Sequence, residues 1–186
     1  MIITNLIRCR YIINSYKNFI KENDKILDVG FGKGIIANKI KERFGADITG
    51  IDIIDENKTN LKFKKFDGCK IPFGDNEFDI AMFNDVLQVL SNEAQYNLLN
   101  EAKRVSKRIL IFDDNIAKYT TLIFLSHILL YRMQRKRIPL LNFKTPDEFK
   151  EIFERLKLKI IKITYVRTPF WYPVKHIAFI LEKAKK

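Results

Sequence analysis

The sequence predicts a doubly wound α/β protein, one mostly parallel sheet with helices on both faces. Three observations predict it. Short apolar segments alternate with stretches whose apolar residues recur at helical spacing. Gly30, Gly32 and Gly34 join the first such segment directly to the first crossover helix. The last two segments, "KIIKITYV" and "HIAFILEK", have no room between them for a helix, so they pair antiparallel and form an antiparallel edge to a seven-stranded sheet.

Within residues 1–23, Leu6, Ile13, Tyr16 and Ile20 have the spacing of an amphipathic first helix. "KILDVG" is a short buried strand. The helix after the glycines puts Ile36, Ile40 and Phe44 on one face and stops at Gly45. "DITGIDI" is the second strand, and "LKFKKFD" the third; the alternation in the third suits a place near the sheet edge. "EFDIAMFND", nearly continuous in apolar residues, reads as a central fourth strand. Asn92 and Gln95 have capping-box spacing and open a helix with Leu98, Ala102 and Val105 inward. "RILIFDD" is the fifth strand. In "TPDEFKEIFERL", Thr145 is the N-cap, Pro146 the first helical residue and Glu148 the reciprocal cap, with Phe149, Ile152, Phe153 and Leu156 facing the core.

With 186 residues, 47% of them hydrophobic and 30% charged, the chain is expected to be one soluble domain, residues 1–186. Cys9 and Cys69 are isolated and only His127 and His176 are present, so no zinc site and no metal is expected, and a reducing cytoplasm suits the chain. The first 22 residues place cations among apolar residues and lack a cleavage site, unlike a signal peptide. The net charge of +12 is unevenly held. Residues 1–93 carry 14 basic and 14 acidic side chains, and residues 94–186 carry 20 and 8. A basic half suits an anionic partner, either a membrane surface or RNA.

Glycines between a strand and a helix let a backbone approach a ligand at the helix N-terminus. Their spacing is G-x-G-x-G; the dinucleotide fingerprint would need glycine where Ile35 stands, and no lysine-hydroxyl pair makes a P-loop. Carboxylates beside the loop suit a ligand with a diol and an amine and repel one with phosphates.

"LDVGFGKG" resembles the first motif of class I S-adenosylmethionine-dependent methyltransferases, and later segments follow in the family's order. "IPFGDNEFDIAMFNDVLQVL" and "TPDEFKEIFERLKLKII" are similar to segments of the type 11 group. The resemblance covers roughly residues 24–114 and 145–183 and implies a Rossmann-like fold with S-adenosylmethionine as cofactor. It implies that Asp52, with Ile53 beside it, accepts from the ribose hydroxyls. Asp67 and Gly68 meet the adenine amino group. The loop around Gly30, Phe31, Gly32 and Gly34, together with Asn84, lines the remainder of the site. Asp28 either holds the loop or meets the cofactor amine. Asp85 and Gln88 either face the acceptor or cap the following helix. The chain departs from the family in lacking "KPGG" before the fifth strand, and Asn84-Asp85-Val86 is unlike the motif of enzymes that methylate exocyclic or amide nitrogens. No catalytic residue is assigned from the sequence.

The expected function is methyl transfer to a small-molecule or lipid-like acceptor, in the cytoplasm or peripherally at a membrane. Two alternatives stay open: an RNA methyltransferase using the basic half, and a partner subunit that binds the cofactor without catalysis. Residues 115–144, an apolar and basic insertion ending in Arg132, Arg135, Lys136 and Arg137, are expected near the acceptor site as a wall touching lipid or an amphipathic substrate.

Overall fold

A computed structural model describes residues 2–114, 125, 129, 142–168 and 175–184. Its strands are β1 (Lys25–Val29), β2 (Asp47–Asp52), β3 (Lys62–Lys65), β4 (Phe78–Asn84), β5 (Ser106–Asp114), β6 (Leu158–Val166) and β7 (His176–Lys183). They form a single sheet in the order β3-β2-β1-β4-β5-β7-β6. Every pairing from β3 through β5 is parallel; β7 runs antiparallel to both β5 and β6. The reversed strand therefore lies one place in from the edge, with β6 outside it. The strand order reverses between β1 and β4, which opens a crevice at their carboxyl ends.

The helices are α1 (Ile2–Tyr16), α2 (Ile35–Phe44), α3 (Asn92–Val105) and α4 (Pro146–Arg155). Two apolar clusters, one on each face of the sheet, follow from the strand alternation. Ile26 packs with Ile12 and Tyr16 of α1 and Ala37 and Ile40 of α2. Leu27 and Val29 pack with Leu98, Leu99 and Ala102 of α3 and Phe149 and Phe153 of α4. β4 and β5 are buried almost throughout, whereas β3 is a largely exposed edge strand.

Three local readings change. α1 ends at Tyr16, so Ile20 joins the core from the turn beyond, and the buried stripe is Cys9, Ile12 and Tyr16, with Ile13 only half-buried. The cap of α3 is Ser91, not Asn92: Ser91 is extended (ψ 162°) and its hydroxyl accepts from the Ala94 N–H at 3.2 Å. Gln95 instead reaches back, its amide donating to the carbonyls of Leu87 and Leu90. The capping box of α4 forms as expected between Thr145 and Glu148. The insertion at 115–144 lies outside the described residues except for 125, 129 and 142–144. Among the described residues no helix is long and apolar enough to cross a membrane.

Candidate cofactor and acceptor site

The three loop glycines serve different ends. All have positive φ: Gly30 78°, Gly32 52° and Gly34 73°. A Cβ on Gly30 would meet Val86 Cγ2 at 2.3 Å, so this glycine lets the loop after β1 close against the chain leaving β4. A Cβ on Gly34 would meet the Phe31 ring at 2.5 Å. A Cβ on Gly32 would meet nothing within 4 Å among the described residues beyond its chain neighbours. Gly32 alone faces open space, and it does so beside the N-terminus of α2.

The Phe31 ring turns away from that space. It is buried among the apolar residues of α2 and β2, 5.7 Å from the Phe63 ring. Only its backbone remains for a ligand. Its ring also explains Gly50, which sequence reading passed over: a Cβ there would lie 2.0 Å from Phe31 Cδ2.

Asp52 ends β2 and supports the loop directly. Its Oδ2 accepts from the Gly32 N–H at 2.8 Å, and its Oδ1 accepts from the Ile53 N–H at 2.7 Å. Ile53 and the neighbouring Ile54 are more than half exposed, an apolar step next to an acid at a strand end. The Ile53 side chain would contact a Cβ on Gly68 at 3.1 Å, so the ends of β2 and β3 bring Asp52, Ile53, Asp67 and Gly68 to one place. Asp67 is exposed, and its Oδ1 accepts from the N–H groups of Cys69 and Lys70. Those two bonds hold its carboxyl below the usual range. One of its oxygens thus shapes the turn.

Behind the loop, Asp28 is buried in a chain of hydrogen bonds. Asn84 Nδ2 donates to Asp28 at 3.4 Å, and Tyr16 from α1 donates its hydroxyl to Asn84 Oδ1 at 3.1 Å. Burial pushes the Asp28 carboxyl up to about 8; the Asn84 hydrogen bond opposes this and the charge of Asp52 adds to it. A neutral acid poised to ionise suits a cationic ligand group. Taken together, an open cradle at Gly32 with a carboxylate beside it at Asp52 and another behind the loop at Asp28 suits a ligand with donor groups and a cationic tail better than one with phosphates.

A second group of polar side chains converges beside the first. Neither Asp85 nor Gln88 caps α3, because Ser91 does. Asp85, in an unusual left-handed conformation (φ 60°), pairs with Arg8 of α1 at 3.1 Å. With its amide nitrogen turned to the carboxylates, Gln88 donates to Asp113 at 3.2 Å and Asp114 at 2.9 Å. His176 Nδ1 lies 2.9 Å from Asp114 Oδ1, both side chains being buried. Sequence reading missed Arg8, Tyr16, Asp113, Asp114 and His176 as site residues. Only the strand order could have found the last three, since β5 and β7 bring them together across 62 residues.

Residues 27–111 match the model of the type 11 methyltransferase domain family. An uncharacterized protein of Methanocaldococcus jannaschii is 34% identical over 82 residues, covering 44% of this chain and 39% of the relative. The chain therefore spans about two fifths of the length of the curated relative it matches. Among solved structures, a SAM-dependent methyltransferase from Methanosarcina mazei superposes with a TM-score of 0.73 at 18% identity, covering 91% of this chain and 97% of that one. Geranyl diphosphate C-methyltransferase from Streptomyces coelicolor A3(2), in complex with Mg2+, geranyl diphosphate and S-adenosyl-L-homocysteine, superposes with a TM-score of 0.70 at 9% identity, covering 97% and 81%. The fold is thus that of the Rossmann-like methyltransferases.

Proposed function

We propose, from the match of residues 27–111 to the type 11 methyltransferase domain model, that the chain moves a methyl group from S-adenosylmethionine to a small-molecule or lipid-like acceptor. The observation that carries the reading is Gly32, which faces open space while its N–H is held by Asp52. When bound, the cofactor supplies a methyl group already activated by a sulfonium, so the chain's task is largely to position it. Asp52 accepts from the ribose hydroxyls, Ile53 covers the adenine, and Asp67 with Gly68 meets the adenine edge. Asp28 balances the cationic amino-acid end. The finer choice of acceptor is supported by the insertion after β5, where Leu125 and Leu129, both helical, are more than half exposed. We place the protein in the cytoplasm, peripheral to a membrane.

Calorimetry should show binding of S-adenosylmethionine and of its demethylated product, and none of NAD. Tritiated methyl groups should pass from the cofactor into the lipid or small-molecule fraction of cell extract. Label found only in RNA would move the acceptor to nucleic acid, and tighter binding of NAD would overturn the cofactor.

Asp52→Ala should weaken cofactor binding by about 1–3 kcal/mol, since buried hydroxyls and the Gly32 N–H both lose their acceptor. An unchanged dissociation constant would remove Asp52 from the site.

A further inference from the structure

We propose that His176, oriented by Asp114, is the general base of the transfer, and that the acceptor is therefore a hydroxyl, nitrogen or carbon acid that must lose a proton. The proposal rests on the methyltransferase reading above. It adds a catalytic group, which neither the glycine loop nor the family's cofactor motifs supply.

The fold places the pair where an acceptor must react. In the β5–β7 register Asp114 faces His176, at the carboxyl end of β5 and next to the carboxyl end of β4. That is the rim which carries Gly32, Asp28 and Asn84. Asn84 is already committed to Tyr16 and Asp28. Around the imidazole stand Asp114 from β5, Asp85 from the turn after β4, the Phe112 ring of β5 at 4.9 Å and the Tyr11 ring of α1 at 6.4 Å. One polar atom from each of Asp85, Asp114 and His176 lies within 4.8 Å of the others.

Chemistry assigns the roles. An ionised carboxylate only accepts hydrogen bonds, so Asp114 fixes the hydrogen on Nδ1 and makes Nε2 the basic nitrogen. Gln88 holds Asp114 in place, and Arg8 balances Asp85. Burial, with the charges of Asp114 and Asp85, keeps the Asp113 carboxyl well above its ordinary range. So dense a buried polar group is a costly way to stabilise a fold compared with apolar packing. The left-handed backbone of Asp85 is a further local strain at the same spot.

In the transfer, the acceptor's X–H proton passes to Nε2 as its electron pair forms the bond to the methyl carbon. The carbon–sulfur bond breaks and its electron pair stays on sulfur, leaving the neutral thioether. The imidazolium then returns its proton to water.

The test uses the full-length protein and has two independent readouts. Nitrogen-15 spectra of the imidazoles are simple because the chain has two histidines, His127 and His176. The wild-type spectrum should show His176 with its hydrogen on Nδ1, and Asp114→Asn should shift that proton. In the tritium assay, His176→Gln should lower transfer at least ~100-fold, the usual worth of a positioned base, while cofactor affinity stays within about threefold. The variant should regain rate only as alkali ionises the acceptor. His176→Gln at full rate, or a hydrogen found on Nε2 instead of Nδ1, overturns the proposal. So does tight binding of zinc added alone, read as loss of the His176 signals, since the cluster would then be a metal site. A wild-type protein that binds the cofactor and labels no fraction overturns the methyltransferase reading, and this proposal with it.

Discussion

Asp28→Asn is expected to make the protein more stable above pH 8 and, at the same pH, a poorer binder of S-adenosylmethionine. The buried Asp28 carboxyl titrates at about 8, against 3.8 for an unburied aspartate. Between those values the folded chain keeps a proton that the unfolded chain has released. Stability from this group is therefore complete below about pH 4, falls as pH rises through that window, and levels off above 8. An asparagine side chain has the same shape and never ionises, so in the variant the fall disappears. The shift sets a ceiling of roughly 6 kcal/mol, and relaxation around an ionised carboxylate brings the expected gain to about 1–3 kcal/mol at pH 9, vanishing near pH 4. The Asn84 donor keeps an oxygen to meet, so the Tyr16–Asn84 chain survives.

Binding should move the other way. A cationic ligand favours the ionised acid, so wild-type affinity should rise with pH toward 8, with proton release below it. Asp28→Asn should flatten that slope and lose about 10- to 100-fold at pH 9, as expected when a buried charge partner is removed. Thermal melts at pH 5 and 9, and calorimetry in two buffers of different ionisation enthalpy, measure both halves. Melting curves that coincide with wild type at both pH values would sink the stability half. An unchanged affinity slope would separate Asp28 from the ligand.

What the sequence reveals and what it hides divide along the distance between interacting residues. The strand and helix succession, the glycine loop and the α4 capping box depend on neighbours, so "LDVGFGKG" and "TPDE" are readable. The cap of α3 lies one residue from its expected place because Ser91 and Asn92 are both able caps, and only backbone conformation chooses between them. Phe31 reads as a loop residue open to ligand. Its ring is instead the filling between Gly34 and Gly50, a contact across two strands that no local pattern reports. Likewise, His176 reads as the first polar residue of an apolar strand until β7 is set against Asp114. Residues distant in the chain build the polar cluster of Asp85, Asp114 and His176, whereas the glycine loop is contiguous.

The glycines permit a sharper separation of fold from function. Gly32→Val should abolish cofactor binding, by at least ~100-fold, while leaving a folded protein. Among the described residues, its chain neighbours aside, no atom lies within 4 Å of the new Cβ, so the Cβ displaces none of them. The left-handed backbone at φ 52° costs a β-branched residue about 1–2 kcal/mol, a few degrees in melting temperature. The isopropyl group fills the space that the cofactor needs. Gly50→Ala should behave in the opposite sense. Its Cβ would meet the Phe31 ring at 2.0 Å within the core, and overpacking of this kind costs about 1–3 kcal/mol. Cofactor affinity should then fall only to the extent that the loop above Phe31 shifts. Calorimetry and thermal melts on the two variants therefore form a crossed pair: binding lost with fold kept at position 32, and stability lost with binding partly kept at position 50. If Gly32→Val binds S-adenosylmethionine as wild type does, the open space at the loop is not the cofactor site, and the cradle must be sought elsewhere on the rim.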